Sequence, residues 1–317
     1  MVNLRKLLEK INMEYGFEGD IRFDEPMARH TTFKVGGPAD VWVRPAGNRF
    51  PEYAALLLKT AWEADIPVFI LGGGANLVVS DRGIRGIVLD TGSWSGLQFD
   101  EQTVLVYGGT EVDAASEVCA QHERQGLAFL AGMPGSIGGA VWMNARCYNR
   151  SISDVLLETW ILNETFQEEW IPFNAVDFDY KISPFQNRRV LILGARFKTA
   201  FQSRESLYEE MRGYRQDRES KGHYRLPSAG SAFKNNHAFG KPTGKLIDEL
   251  GLRGLSIGGA KVADWHGNII VNTGTATAQD IYLLTEELKK RVKQALGYEL
   301  ECEILFVGDW SGEEKRS

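Results

Sequence analysis

Val68-Phe-Ile-Leu71 runs straight into Gly72-Gly-Gly-Ala-Asn76. Four apolar residues ahead of three glycines predict a buried strand that ends in bare backbone. Without Cβ atoms, successive N–H groups there can converge on an anion. The spacing is not the GxGxxG fingerprint of a dinucleotide fold, and no acidic residue follows at the usual interval. It is not a Walker loop either, because no Gly-Lys-Ser/Thr follows. Taken alone, the stretch fits a phosphate cradle and a tight turn between strands equally well. Upstream, Tyr53 to Ala64 predicts a helix with Ala54, Leu57, Leu58 and Ala61 on one face, and Ala39 to Arg44 predicts a strand. Downstream, Leu77-Val-Val79 and Gly86-Ile-Val-Leu89 predict further strands, so a βαβ-like unit surrounds the glycines.

A second glycine stretch lies further on. Thr103 to Gly108 reads as a strand, and Val112 to Gln125 as a helix stopped by Gly126. Then comes Gly132-Met-Pro-Gly-Ser-Ile-Gly-Gly139, in which Pro134 fixes φ and the glycines keep side chains away. It too fits a ligand cradle and a buried turn equally. Val155 to Phe201 predicts a meander of strands. Trp160-Ile-Leu162 and Trp170-Ile171 flank a polar turn at Asn163-Glu164, and Val190 to Leu193 continues into Ala195-Arg-Phe197. The charged stretch Ser203 to Lys221 predicts a helix that opens a new domain. Gln279 to Leu296 is a helix with Thr277 and Asp280 at its start. Ile281, Leu284, Leu288, Val292 and Ala295 form its buried stripe, and Gly297 its stop. Glu301 to Val307 alternates as a final strand. The class is α+β, mixed and multi-domain.

A chain of 317 residues suffices for two or three domains. A net charge of −6 argues against a nucleic-acid binder that works by neutralising phosphates. Cys119, Cys147 and Cys302 are far apart, odd in number and without CxxC spacing. Neither a disulfide framework nor a zinc site is expected, and a reducing compartment fits better. His30 and His266 have no metal-ligand spacing. Lys6, Glu9 and Lys10 break the N-terminal stretch, whose Leu4, Leu7, Leu8 and Ile11 follow a helical period, so it is no signal peptide. No run is apolar enough to span a bilayer. The sequence expectation is a soluble, cytoplasmic protein without a metal.

The chemistry-bearing stretch is Pro227-Ser-Ala-Gly-Ser-Ala-Phe-Lys-Asn235. It places the Ser231 hydroxyl on a Gly-flanked turn beside Lys234 and Asn235. Such a serine can protonate a carbon or bind an anion. With no histidine in the motif a hydrolase triad is disfavoured, and a surface serine in a turn is the plain alternative. Glu301 and Glu303 alternate along the last strand and share a face. Tyr180-Lys-Ile-Ser-Pro-Phe185 reads as a loop carrying a cation.

Taken in order, these segments resemble the UDP-N-acetylmuramate dehydrogenase family, also called UDP-N-acetylenolpyruvoylglucosamine reductase. The matching pieces are His30-Thr-Thr-Phe-Lys-Val-Gly-Gly37, Leu71 to Leu77, Gly132 to Ala140, Met143-Asn-Ala145 with Tyr148, Tyr180 to Phe185, Pro227 to Asn235, Lys245-Leu-Ile-Asp248 with Ile257-Gly-Gly-Ala260, and Glu301-Cys-Glu303. They span nearly the whole chain. The short Tyr180–Phe185 region resembles the branch that lacks an extra substrate-covering loop. The resemblance implies a two-part FAD-binding domain of the vanillyl-alcohol-oxidase-like type plus a smaller α+β substrate-binding domain. Residues 1–90, joined by the strand in 299–317, would form the first FAD subdomain, 91–202 the second, and 203–298 the substrate domain.

The same resemblance implies non-covalent FAD, with NADPH as hydride donor and a UDP-sugar as substrate. Its cofactor contacts would be Val35, Gly36, Gly72, Gly73, Gly74, Ala75, Asn76, Leu77, Gly132, Pro134, Gly135, Gly138, Gly139 and Ala140. Ser231 resembles the family's proton donor, and Glu303 the acid that with a cation stabilises the enol intermediate. The cation position falls on Lys181. Tyr180, Lys181, Lys221, Gly230, Ser231, Lys234 and Asn235 would meet the substrate. Three departures stand out. Lys181 replaces the usual arginine and offers no planar fork. Arg146 stands where glycine is expected and could supply guanidinium chemistry or face solvent. Gly222-His223 replaces a Gln-Pro pair. A flavin and sugar-nucleotide binder without reductase activity, and a flavin-dependent alcohol oxidase, are the alternatives. No membrane insertion is expected, and protein partners are left open.

Overall fold

The computed structural model describes Leu4, Leu8 and residues 16–311. Leu4 and Leu8 are helical and buried, while Leu7 and Ile11 of the same predicted stripe lie outside the described residues. Among the described residues no helix is long and apolar enough to cross a membrane. The chain divides into two compact units. One comprises Met1–Phe23, Val41–Gly73 and Gly86–Gln216; the other Asp24–Asp40, Gly74–Arg85 and Asp217–Ser317. The chain passes between them five times, once inside the first glycine stretch, between Gly73 and Gly74.

The first unit is built on two sheets. One has the order β1-β2-β5-β3, from β1 (Gly19–Pro26), β2 (Pro38–Pro45), β3 (Val68–Leu71) and β5 (Ile84–Asp90), while β4 (Leu77–Val79) belongs to the second unit. The end of β1 and the starts of β2 and β5 belong to the second unit. β3 and β5 run parallel, Val68 opposite Ile87 and Leu71 opposite Asp90. Helix α1 (Phe50–Glu63) buries Phe50, Ala54, Leu57 and Ala61. These meet Val41, Val43, Ile87 and Leu89 in one core. The second sheet has the order β12-β11-β13-β7-β6, from β6 (Leu97–Phe99), β7 (Thr103–Tyr107), β11 (Leu156–Leu162), β12 (Glu168–Pro172) and β13 (Leu191–Lys198). The predicted hairpin forms, with Trp160 opposite Trp170 and their rings stacked at 5.6 Å. Trp94 stacks on Tyr107 at 4.5 Å and donates from Nε1 to the Leu193 carbonyl. Helices α2 (Val112–Gln121) and α3 (Ile137–Trp142) close a second core around Val106, Phe129, Ile137 and Phe197.

The predicted helix over Val112–Gln125 ends early, at Gln121. Glu123 turns into the left-handed region, φ 57°, and frees β8 (Arg124–Gln125) to pair with β14 (Ala200–Phe201). A small hairpin joins β9 (Arg146–Cys147) to β10 (Arg150–Ser151). Its central Tyr148 and Asn149 both have positive φ, the signature of a tight I′-like turn. Helix α4 (Arg204–Ser220) covers the predicted charged stretch.

In the second unit, α5 (Thr243–Glu249) and α6 (Ala278–Leu296) pack with a three-stranded sheet. Its strands are β15 (Ser256–Ile257), β16 (Ala260–Val262) and β17 (Ile270–Asn272). The capping box at Thr277 and Asp280 forms as predicted, and Gly297 ends α6 at φ 74°. Ile281, Leu284, Leu288 and Val292 are buried beside Phe33, Val35 and Val78, whereas Ala295 at the end of the predicted stripe is exposed. The final strand is shorter than the alternation suggests. Only β18 (Leu305–Val307) is a strand, parallel to β4. The backbone of Glu301 to Ile304 is spent elsewhere, on the serine motif.

Candidate active site

In the first unit the two glycine stretches meet. A Cβ placed on Gly73 would lie 2.6 Å from the Gly135 Cα, and one on Gly72 would meet the Ser136 hydroxyl. The glycines are required first by each other. They let two loops abut so closely that neither tolerates a side chain there. The second loop is anchored by Val112 N–H to Gly135 O and by Ile137 N–H to Thr110 O, 3.0 and 2.9 Å. Gly138 N–H donates to Gly108 O at 2.8 Å, and a Cβ at Gly138 would press on that carbonyl. Ser136 caps α3 by accepting from Gly139 N–H. The amides of Gly73, Gly135 and Ser136 donate to no other group among the described residues. Gly73, Pro134 and Gly139 are exposed, and Ala140 is buried. Amides left without an acceptor beside exposed, bare backbone suit an anion, and a flavin nucleotide's pyrophosphate is one that would fit.

Asp113 escaped the sequence reading. Its carboxylate accepts from Gly132 N–H at 2.6 Å and pairs with Arg215 at 2.9 Å, which also pairs with Glu117. Thus α4 grips the start of the second loop through one carboxylate. Asp113 sits in the first turn of a helix, where acidic residues are common, so its type gave no signal.

Lys181 occupies the third position of a tight turn, φ 60°. Asp179 and Ile182 exchange backbone bonds of 3.2 and 3.0 Å across it. A lysine at a position that favours glycine or asparagine carries backbone strain. The turn is fastened by Asn144, 2% exposed, whose Nδ2 donates to Asp179 O at 2.8 Å. Gln186 donates to the Lys181 carbonyl. Tyr180 and Lys181 are half-buried. Arg146 is exposed on its hairpin and reaches Ser151 Oγ at 3.3 Å.

In the second unit the motif residues converge on the serine segment. Glu303 N–H donates to Ala232 O at 2.8 Å, and Lys234 N–H to Glu301 O at 2.9 Å. Phe233 bridges Cys302, and Ser231 bridges Ile269. Gly230 takes φ 74° with open space where a Cβ would stand, so conformation and not room requires glycine there. Asn76 spends its side chain on the chain, donating to the Glu303 carbonyl at 3.0 Å. Its own carbonyl accepts from Leu305 N–H. Gly74, φ 60°, packs on the His30 carbonyl and accepts from Thr32 N–H. Gly36, φ 126°, lies against Val79 and Met27. Val35 is 3% exposed in the core. Ala75 and Leu77 are half-buried.

Two lysines of this unit are engaged in ion pairs. Lys234 pairs with Glu301, and Lys221 with Asp217 at 2.7 Å. Asn235 accepts from Thr243 N–H at the start of α5. Where Gln-Pro was expected, Gly222, φ 73°, makes room for the Trp265 ring, and His223 lies 6.3 Å from His266. Burial, helped by the Arg218 charge, lowers the His223 pKa to about 4. Burial also lowers that of His266 and raises that of the Cys302 thiol. Among the described residues no group of three or more His, Cys, Asp or Glu could hold a metal.

Residues 222–307 match the UDP-N-acetylenolpyruvoylglucosamine reductase C-terminal domain, and residues 51–165 match an FAD binding domain. The UDP-N-acetylenolpyruvoylglucosamine reductase of Treponema denticola is 40% identical, covering 92% of this chain and 95% of its own. That of Borreliella burgdorferi is 37% identical, covering 96% and 98%. The crystal structure of UDP-N-acetylenolpyruvylglucosamine reductase from Thermus caldophilus matches with a TM-score of 0.74 at 28% identity, covering 92% of this chain and 99% of that one. Two abutting glycine loops in one unit, a serine and a glutamate on adjoining backbone in the other, and relatives matched over more than nine-tenths of both chains lead to one conclusion: this chain belongs to the UDP-N-acetylenolpyruvoylglucosamine reductase family.

Proposed function

We propose that this protein reduces the enolpyruvyl ether of UDP-N-acetylglucosamine to UDP-N-acetylmuramate, with NADPH as reductant and non-covalent FAD, in peptidoglycan precursor synthesis. The observation that carries the reading is the bond from Glu303 N–H to Ala232 O. It joins the backbone of two carboxyl- and hydroxyl-bearing motifs that lie far apart in sequence. Bound FAD supplies the relay of hydride from NADPH to the terminal enolpyruvyl carbon. The residues we assign to hold it are Val35, Gly36, Gly72 to Leu77, Gly132, Pro134, Gly135, Gly138, Gly139 and Ala140. The amides of Gly73, Gly135 and Ser136 would be the donors available to its pyrophosphate.

Hydride addition leaves negative charge on the carbon beside the substrate carboxylate. We assign Ser231 Oγ as the donor that protonates this carbon and Glu303 as the acid that stabilises the enol form. Lys181 supplies the compensating cation, because its turn is fixed by Asn144 while Arg146 is exposed and bonded to Ser151. Preorganised charge of this kind is usually the largest catalytic contribution. Tyr180, Lys221, Gly230, Lys234 and Asn235 complete the substrate contacts. We retain residues 1–90 with 299–317 and 91–202 as the FAD-binding parts, and 203–298 as the substrate domain. We place the reaction in the cytoplasm.

Steady-state NADPH consumption tests this directly. Turnover that requires the enolpyruvyl sugar nucleotide, and yields UDP-N-acetylmuramate in equal amount, is the expected result. NADPH consumption indifferent to the sugar, with oxygen as the electron acceptor, would favour an oxidase and sink the proposal.

A further inference from the structure

The segment that carries Ser231 is not part of a sheet. Single bridges hold it, Ser231 with Ile269 on one flank and Phe233 with Cys302 on the other. On the Cys302 flank, backbone bonds backbone through Glu303 N–H and Lys234 N–H. On the Ile269 flank a side chain does much of this work. Asn268 is 3% exposed. Its Oδ1 accepts from Phe233 N–H at 2.9 Å, and its Nδ2 donates to Phe233 O at 2.8 Å. Its own carbonyl accepts from Ala232 N–H at 2.8 Å. One residue therefore bonds three backbone groups immediately after Ser231.

A primary amide offers a donor and an acceptor in one plane, as a peptide group does. Aspartate keeps only the acceptor and brings a buried charge. Alanine leaves the N–H and C=O of Phe233, itself fully buried, without partners. Asn268 is held in turn by His266, whose Nδ1 accepts from Asn268 N–H at 3.1 Å. That bond requires a neutral ring protonated on Nε2, and burial favours the neutral form.

We propose that Asn268 is a positioning residue for proton delivery: acting through Ala232 and Phe233, it fixes where the Ser231 hydroxyl stands. The inference rests on the assignment of Ser231 as proton donor in the reductase reaction. A displacement of about 1 Å at a reacting group costs ~10²-fold in rate, so the latch is catalytic in consequence although it touches no substrate.

The test uses the FAD-loaded protein and the variants Asn268→Ala and Asn268→Asp, followed anaerobically in two half-reactions. NADPH should bleach the flavin at the parental rate. Reoxidation by the enolpyruvyl sugar nucleotide should slow ~10–100-fold with little change in the sugar concentration that half-saturates it. The solvent deuterium isotope effect on that step should rise, because proton delivery becomes limiting. A merely structural asparagine would not move the isotope effect. The proposal is overturned if reoxidation stays at the parental rate in both variants, if both half-reactions slow together, or if neither variant retains FAD. Ser231→Ala serves as the control. Should it reoxidise normally, or should the parent fail to reoxidise with the sugar, the underlying assignment falls, and this one with it, for a reason visible in those two samples alone.

Discussion

The glycine loops of the first unit and the serine segment of the second solve opposite problems. The loops achieve their shape by omission. Gly73 and Gly135 lack side chains, so two backbones touch and leave amides unspent. The serine segment achieves its shape by addition. Side chains from distant positions, Asn268 above all, supply the bonds that a neighbouring strand would otherwise give. Binding a cofactor pyrophosphate needs exposed donors on a fixed surface. Delivering a proton needs one hydroxyl at one place.

The largest effect expected from this contrast is at Ser231. Ser231→Ala should slow sugar-dependent flavin reoxidation ~10²–10⁴-fold, the usual cost of losing a positioned acid, while bleaching by NADPH is unchanged. Glu303→Gln should show the same selectivity. Equal damage to both half-reactions would make the serine segment a structural element like the loops and erase the contrast.

Next comes Lys181. Lys181→Met should lower sugar-dependent reoxidation ~10²-fold, as for loss of one charge-stabilising group, and Lys181→Arg should keep substantial activity. Lys181→Gly is the sharper probe, because it relieves the left-handed backbone at φ 60°. Thermal stability should hold or rise while reoxidation falls. Full activity in Lys181→Gly, with loss in Arg146→Ala, would transfer the role to the hairpin.

The loops should break by crowding. In Gly73→Ala the new Cβ meets main-chain atoms of Gly135 at 2.6 Å, and overpacking against backbone costs about 1–3 kcal/mol. Purified protein should be largely colourless. In Gly139→Ala the nearest atom is the Ser136 hydroxyl at 3.4 Å, so folding should survive, and only FAD affinity should drop. If Gly73→Ala bound FAD as tightly as the parent, loop contact would not be the reason for the glycine.

The smallest effect concerns pH. His223, with a pKa of about 4 in the fold against 6.5 for the free side chain, takes up its proton more readily once unfolded. Its contribution to stability is therefore complete above about pH 6.5 and declines as pH falls toward about 4. The melting temperature should drop over that window, and less steeply in His223→Gln. A parallel decline in both proteins would place the titration elsewhere.

Much of this was legible because it is local. Strand-then-glycine, the Trp160 and Trp170 hairpin, and the Thr277–Asp280 cap are each written within a few residues. What was not legible depends on contacts made at long range. Asn268 acts on Phe233, and its only trace in the sequence is a lone amide at the head of the apolar run Ile269-Ile-Val271. Asp113 acts on Gly132, with the unremarkable look of a first-turn acid. Asn76 read as part of a cofactor loop, yet its side chain holds Glu303. The alternation from Glu301 to Val307 predicted one strand. Ala232 O, which accepts from both Glu303 and Ile304 N–H, breaks the register that alternation assumes. Glu123 ended a helix that periodicity alone would have carried to Gly126.

The most direct measurement of the central claim is a single turnover without oxygen. The yellow protein is first bleached with one equivalent of NADPH, and the enolpyruvyl sugar nucleotide is then added. The account predicts full bleaching, followed by complete return of the oxidised flavin spectrum with one UDP-N-acetylmuramate formed per flavin. Flavin that stays reduced after the sugar is added, in protein that bleached normally, would contradict it.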